Sequence, residues 1–163
     1  MLRLTERVEA SEAEISGVLV QPFAVRQKSR FRAVLLDGND VGVFLERGRV
    51  LRDGDLLRAT NGRVIRVEAA PETVSTVYCH HRQRLARLCY HLGNRHVMLQ
   101  IGADFARYQH DHVLDDMVRS LGLKPVTERA PFEPEAGAYH HHHSHAGPSA
   151  SPPSTDHGLV AGH

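Results

Sequence analysis

The sequence predicts an all-β domain, then a mixed α/β domain, then a disordered His-rich tail. Short apolar runs separated by Gly-containing turns fill residues 1–71. Helical and strand periodicities alternate over residues 72–138. Residues 139–163 consist largely of His, Ser, Pro, Gly and Ala, which cannot bury enough apolar surface to offset the entropy of ordering. We therefore expect two small domains and a tail with these boundaries.

The composition of the chain argues against nucleic-acid binding and membrane association. Lys plus Arg total 20 and Asp plus Glu total 19, so the chain has no bias toward polyanions, and it contains no Trp for stacking on bases. We therefore expect no nucleic-acid partner. No apolar run is long enough to span a membrane and the N-terminus lacks a signal-peptide core, so we expect a cytoplasmic protein without a membrane partner. The 13 histidines are the compositional anomaly.

The first domain is predicted to be a small barrel or sandwich of six strands. Asp or Asn precedes Gly38, Gly54 and Gly62, a pairing typical of tight turns. The predicted strands cover residues 2–8, 15–20, 31–36, 41–45, 56–59 and 64–69. A basic set comprises Arg26, Lys28, Arg30 and Arg32. We favour a solvated strand face for this set over nucleic-acid binding, with a surface for a partner protein as the second alternative.

The second domain has the order β-α-β-β-α-β, which is the ferredoxin-like arrangement. Its second helix begins at the N-cap Asp111 and stops at Gly122, which suits the left-handed residue after a helix. The predicted strands are 74–79, 97–101, 105–108 and one that begins near 125–126, and the predicted helices are 81–92 and 111–121.

One histidine follows the first of these helices. The sequence predicts that Gly93 ends the helix in a left-handed conformation and that His96 then presents its imidazole at a surface. A single imidazole is a poor metal site, but a two-fold homodimer would supply a second copy beside the axis. The alternative is a histidine with a purely structural role at a helix-to-strand corner.

Two more histidines flank the start of the second helix. His112 lies opposite the apolar stripe of that helix and should face solvent, while Asp111 is explained as its cap. His110 and His112 are candidate surface metal ligands, and equally they could be plain exposed polar residues. Cys79 and Cys89 lie in apolar stretches and are expected to be small buried hydrophobes.

Enzyme signatures are missing from the sequence. It contains no G-x-x-x-x-G-K-[ST] loop, no H-E-x-x-H and no G-x-S-x-G, and neither cysteine has a convincing base partner. We therefore expect a protein that is not an enzyme.

Four segments together resemble the UreE family of urease accessory proteins. They are residues 89–96 (CYHLGNRH), 108–117 (YQHDHVLDDM), 121–123 (LGL) and 131–139 (PFEPEAGAY), and a His-rich tail follows them. The resemblance implies a cytoplasmic nickel chaperone for urease maturation, with an N-terminal domain that binds partner peptides and a C-terminal domain that dimerises. It also implies transfer of nickel to the partner GTPase UreG and on to the urease apoprotein with its other accessory proteins.

The same resemblance assigns the metal ligands. The residue that matches the interface histidine is His96, contributed by both protomers of a homodimer, and the secondary sites fall on His110 and His112. Tail histidines would add capacity and reach the interface metal; they are His140, His141, His142, His143 and His145. Ni(2+) is taken from the family, and Zn(2+) or Cu(2+) are alternative metals in vitro. Copper stands above nickel in the Irving–Williams order, so selectivity for nickel must come from metal supply and partners.

The chain departs from the family at two points. Met98 stands where the family often has proline, which leaves the segment beside His96 less constrained. The tail is modest in histidine, which argues against a large storage capacity. A general nickel or zinc buffer remains the alternative function, and it predicts that deletion from His140 onward would remove nearly all metal binding.

Overall fold

A computed structural model describes residues 1–9 and 14–137. The predicted disordered tail and its five candidate ligands, His140, His141, His142, His143 and His145, lie outside the described residues.

The first domain is built on one six-stranded mixed sheet. Its strands are β1 (Leu2–Val8), β2 (Ile15–Gln21), β3 (Arg30–Val34), β4 (Asp40–Phe44), β5 (Leu56–Ala59) and β6 (Val64–Ala69). Their order across the sheet is β2-β6-β5-β1-β4-β3, with β1 parallel to β4 and β2 parallel to β6. The amide of Leu36, just after β3, donates to the carbonyl of Val18 on β2 at 3.0 Å, which joins the two ends of the sheet.

The curled sheet is a half-barrel around one apolar core, so the prediction of a small six-stranded β domain is confirmed. Its fully buried side chains include Leu4, Leu19, Val41, Leu57 and Ile65. Alternation along each strand directs these residues inward.

The second domain is a four-stranded sheet covered by two helices. Its elements are β7 (Pro71–Tyr78), α2 (Arg82–Asn94), β8 (Gln100–Ile101), β9 (Phe105–Gln109), α3 (His112–Ser120) and β10 (Val126–Pro131). The strand order β10-β7-β9-β8 is antiparallel throughout, which confirms the predicted ferredoxin-like arrangement. The strand predicted at residues 97–101 is shorter in the structure, because only Gln100 and Ile101 join the sheet.

Helix α2 packs onto the sheet through one face. Leu85, Leu88 and Leu92 recur at helical spacing and are buried, and they share a core with Ala106 and Tyr108 of β9. This packing fixes the end of α2, and therefore the position of His96, against the sheet.

A short helix that the sequence pattern did not predict is α1 (Phe23–Arg26). Four residues are too few to show helical periodicity, so the sequence left no signal for it. The expectation that Arg26 belongs to a solvated face is wrong, because its side chain is fully buried. Lys28, Arg30 and Arg32 are exposed, as predicted.

Arg26 joins the first domain to the end of β10. Its guanidinium donates to the carbonyl oxygens of Gln21, Leu51 and Phe132 and pairs with the carboxylate of Glu133. The rings of Phe23 and Phe132 meet edge-on beside it, with centroids 5.6 Å apart. A buried charge is stabilised only when it has such partners. Because the partners of Arg26 come from both domains, this contact couples the two domains.

No helix in the described part of the chain is both long and apolar enough to cross a membrane.

Candidate metal-binding histidines

His96 lies in the turn that follows α2. The helix runs through Gly93 and Asn94, and the left-handed residue is His96 itself, with φ of 57°. Gly93 does not have a positive φ, so the prediction that it ends the helix in a left-handed conformation is wrong. The amide of His96 donates to the carbonyl of Gly93 at 3.0 Å, and the Val97 amide donates to the carbonyl of Leu92 at 3.4 Å.

The backbone reverses at His96 because the next residues return to the core. Leu99 is buried and Val97 is partly buried against the α2 face, so the chain has to turn back immediately after the helix. Among residues 1–9 and 14–137, His96 is the only residue other than Gly with a positive φ. Such a backbone is strained for a residue with a side chain, and residues strained in this way cluster at functional sites.

The imidazole of His96 is exposed, as the sequence predicted. Its exposed neighbours in the sequence include Met98, which is 45% exposed. Across the described ranges, no three His, Cys, Asp or Glu side chains are arranged to hold a metal ion together. Within the described part of one chain, His96 is therefore a single exposed imidazole without two further potential metal ligands arranged around it.

His110 and His112 lie on either side of the N-cap of α3. Asp111 accepts hydrogen bonds from the amides of Val113 at 2.8 Å and Leu114 at 3.2 Å, which confirms its predicted capping role. The bonds from Leu114 and Val113 hold the pKa of Asp111 below its usual value. The carboxylate of Asp111 is thus engaged by the first turn of the helix.

The two imidazoles differ in their surroundings. His112 is exposed, as predicted, and within the described residues its side chain makes no hydrogen bond. His110 is held on one side: its Nδ1 lies 3.0 Å from the hydroxyl of Ser75 and 3.4 Å from Oδ2 of Asp115.

Asp115 is a partner of His110 that the sequence patterns did not predict. Its carboxyl is buried and accepts a 2.6 Å hydrogen bond from the hydroxyl of Tyr108. Burial, followed by the contact with Asp115, raises the pKa of Tyr108 and keeps the phenol protonated as a donor. The sequence did contain a pattern that indicates this contact. Tyr108 and His110 are two residues apart, a spacing that places side chains on the same face of an extended segment, and Asp115 lies in the first turn of the helix that follows.

Two cysteines and one further histidine have structural surroundings. Cys79 is buried and Cys89 is half-buried. Burial raises the pKa of the Cys89 thiol, which disfavours the thiolate form that binds metals. His81 is the N-cap of α2, where its Nδ1 accepts a hydrogen bond from the Arg84 amide at 3.3 Å.

Comparison with known proteins covers both domains. A family model described as "UreE urease accessory protein, N-terminal domain" matches residues 4–70, and one described as the C-terminal domain of the same protein matches residues 72–162. The urease accessory protein UreE of Alkalilimnicola ehrlichii is 64% identical over 139 residues, covering 85% of each chain.

Two further relatives carry the same name. UreE of Pseudomonas putida strain W619 is 56% identical over 140 residues, which cover 85% of this chain and 86% of the relative. UreE of Teredinibacter turnerae is 52% identical over 141 residues, which cover 86% of this chain and 92% of the relative. The two domain models and these identities show that this chain belongs to the UreE family of urease accessory proteins.

Proposed function

We propose that this protein is a nickel metallochaperone that delivers Ni(2+) for assembly of the urease active site. The observation that carries the proposal is His96, an exposed imidazole on a left-handed backbone at the end of α2. Neutral imidazole is a good ligand for nickel, and for zinc and copper as competing metals in vitro. Membership of a urease accessory family supplies the recipient of the metal.

A second copy of the chain completes the site at His96. One chain offers a single imidazole there, whereas a two-fold axis beside His96 brings two imidazoles to one metal. We propose that the homodimer forms through the second domain, which presents this residue. Exposed apolar side chains flank the turn, including Tyr90, which is 66% exposed, and Met98.

His110 and His112 form the secondary binding positions in this proposal. Both lie at the exposed start of α3 and outside the half-barrel. The tail histidines His140, His141, His142, His143 and His145 add capacity and approach the interface metal. We propose transfer in the cytoplasm from this chain to the GTPase UreG and then to the urease apoprotein and its accessory complex.

A carrier function suits these ligands better than catalysis. Imidazoles shared between two chains can be removed one at a time, whereas a closed site rich in thiolates would hold its cargo. In the described part of the chain the His96 turn and the α3 start are open to solvent, which a partner needs for direct transfer.

The test is titration calorimetry of the full chain and its His96→Ala variant, combined with native mass measurement. The unmodified protein should bind its tightest nickel at one metal per dimer, and His96→Ala should lose that site. His91→Ala is the matched control, because His91 is also exposed at the end of α2 and its ring packs edge-on against Tyr90. An unchanged tightest site in His96→Ala would contradict the proposal, as would a monomer with nickel bound.

A further inference from the structure

We propose that Asp115 is a positioning residue that fixes His110 as the Nδ1–H tautomer and so makes Nε2 its metal-binding atom. The proposal rests on the secondary metal-binding role given to His110 above. It deepens that role by naming the groups that orient the ligand, namely Asp115, Tyr108 and Ser75.

The sheet and α3 together build the pocket for this carboxylate. Ser75 on β7 and Tyr108 on β9 are cross-strand partners, and both are fully buried. His110 follows β9 and its amide donates to the carbonyl of Thr73 at 3.3 Å, so its backbone is held by β7 as well. Asp115 comes from the first turn of α3, where the helix dipole favours a negative charge.

The carboxylate that faces Nδ1 of His110 favours one tautomer. The ionised carboxylate of Asp115 can only accept hydrogen bonds, and its Oδ1 accepts one from the Tyr108 hydroxyl at 2.6 Å. Its Oδ2 faces Nδ1 of His110 at 3.4 Å, and the Ser75 hydroxyl lies 3.0 Å from the same nitrogen. The Ser75 hydroxyl can accept from a proton on Nδ1 or donate to a lone pair there, so it suits either tautomer. The negative carboxylate of Asp115 attracts a proton on Nδ1 and repels a lone pair there. The lone pair of the neutral ring is therefore on Nε2.

This arrangement is the one that tunes histidine ligands in many metalloproteins. A carboxylate behind the ring fixes its orientation and raises the basicity of the ligating nitrogen, and loss of such a partner weakens metal affinity by about 10–100-fold. The His110 side chain is 40% exposed, which leaves its outer edge accessible. His112 has no comparable partner among the described residues, so the pair combines one fixed ligand with one adaptable ligand.

The first experiment needs no substitution. Nitrogen-detected NMR of the metal-free full chain at neutral pH should show His110 as the Nδ1–H tautomer and His112 as the Nε2–H form that free imidazole prefers. A His110 ring protonated on Nε2 would overturn the proposal.

The second experiment measures nickel at His110 by the paramagnetic broadening of its ring signals. Asp115→Asn should weaken that binding about 10–100-fold and shift the tautomer. Asp116→Asn is the matched control, since Asp116 lies next in the helix but is exposed and pairs with Arg119 at 2.9 Å. Ser75→Ala is a milder second variant, which should shift the tautomer population even if Asp115→Asn folds poorly.

The outcomes separate this proposal from the proposed function. If the His110 ring signals of the unmodified protein stay sharp when nickel is added, the ligand role of His110 is contradicted. Equal nickel affinity in Asp115→Asn and the unmodified protein contradicts the positioning role of Asp115 while the ligand role stands.

Discussion

The amide of Glu135 donates a 2.8 Å hydrogen bond to the carbonyl oxygen of Leu99. This bond holds the end of the second domain next to the segment that starts at His96. Two neighbouring contacts secure it: the Glu133 amide donates to the side chain of Gln100 at 3.0 Å, and Arg52 donates to the carbonyl of Pro134 at 2.7 Å. From Glu135, five residues reach His140, a span of at most about 18 Å. Leu99 is three residues from His96, a span of at most about 11 Å.

The first prediction concerns the length of the tail. A variant that ends at Gly137 keeps Glu135 and its bond to Leu99, and it should retain the tightest nickel site at one metal per dimer while total bound nickel falls. Calorimetry with equilibrium dialysis measures both quantities. Loss of nearly all binding in this variant would instead support the general buffer function.

The second prediction concerns the backbone of His96. Its φ of 57° is costly for any residue with a Cβ, by about 1–2 kcal/mol, but not for Gly. The free energy of unfolding of His96→Gly should therefore exceed that of His96→Ala by about 1 kcal/mol, although both variants lose the imidazole. Urea denaturation of the metal-free proteins tests this. Equal stability of the two variants would mean that the turn relaxes without strain.

Sequence patterns between residues that are close in the chain predicted much of the fold. The Asp and Asn residues before Gly38, Gly54 and Gly62 marked turns that do adopt positive φ, and the apolar runs between them became the strands of the half-barrel. The cap at Asp111 and the stop at Gly122, with φ of 77°, were also confirmed. Each of these features depends on residues that are close together in the chain.

The missed features depend on contacts between distant residues. Arg26 is buried only because Leu51, Phe132 and Glu133 converge on it from other elements. Gly93 remains helical and His96 takes the turn because the position of Leu99 in the core decides where the chain reverses. The link from Asp115 to His110 likewise requires the register of β7 and β9, which local patterning does not specify.

The third prediction concerns the buried guanidinium between the domains. Arg26→Met should destabilise the protein by about 3–5 kcal/mol, because it leaves the Glu133 carboxylate and several carbonyl oxygens without their donor. Arg58→Met is the control, since Arg58 pairs with Glu6 at an exposed surface where such pairs contribute about 0–1 kcal/mol. Urea denaturation gives the free energies, and limited proteolysis near residue 133 reports release of the domain contact. Similar losses in the two variants would contradict the coupling role of Arg26.

The fourth prediction concerns acid stability and the outer face of the second sheet. Hydrogen bonds from Thr76 and Tyr78, with the charge of Arg107, hold the pKa of Glu128 below its ordinary value of 4.5. The Tyr78 hydroxyl donates to Glu128 at 2.7 Å, and the Arg107 guanidinium lies 3.4 Å away. A carboxyl with a lowered pKa in the folded state contributes stability that is present above pH 4.5 and is lost as the pH falls through the lowered value.

Glu128→Gln should therefore be less stable than the unmodified protein at pH 7, and the difference between them should shrink as the pH falls below 4.5. Glu6→Gln controls for the loss of one carboxylate, since Glu6 lies at the exposed pair with Arg58. Urea denaturation at pH 7 and at intervals down to about pH 3 gives the free energies of unfolding; the lower end of that range lies beneath the usual carboxyl pKa values. The prediction fails if the difference between Glu128→Gln and the unmodified protein stays constant over that range, because the lowered pKa would then contribute nothing to folding.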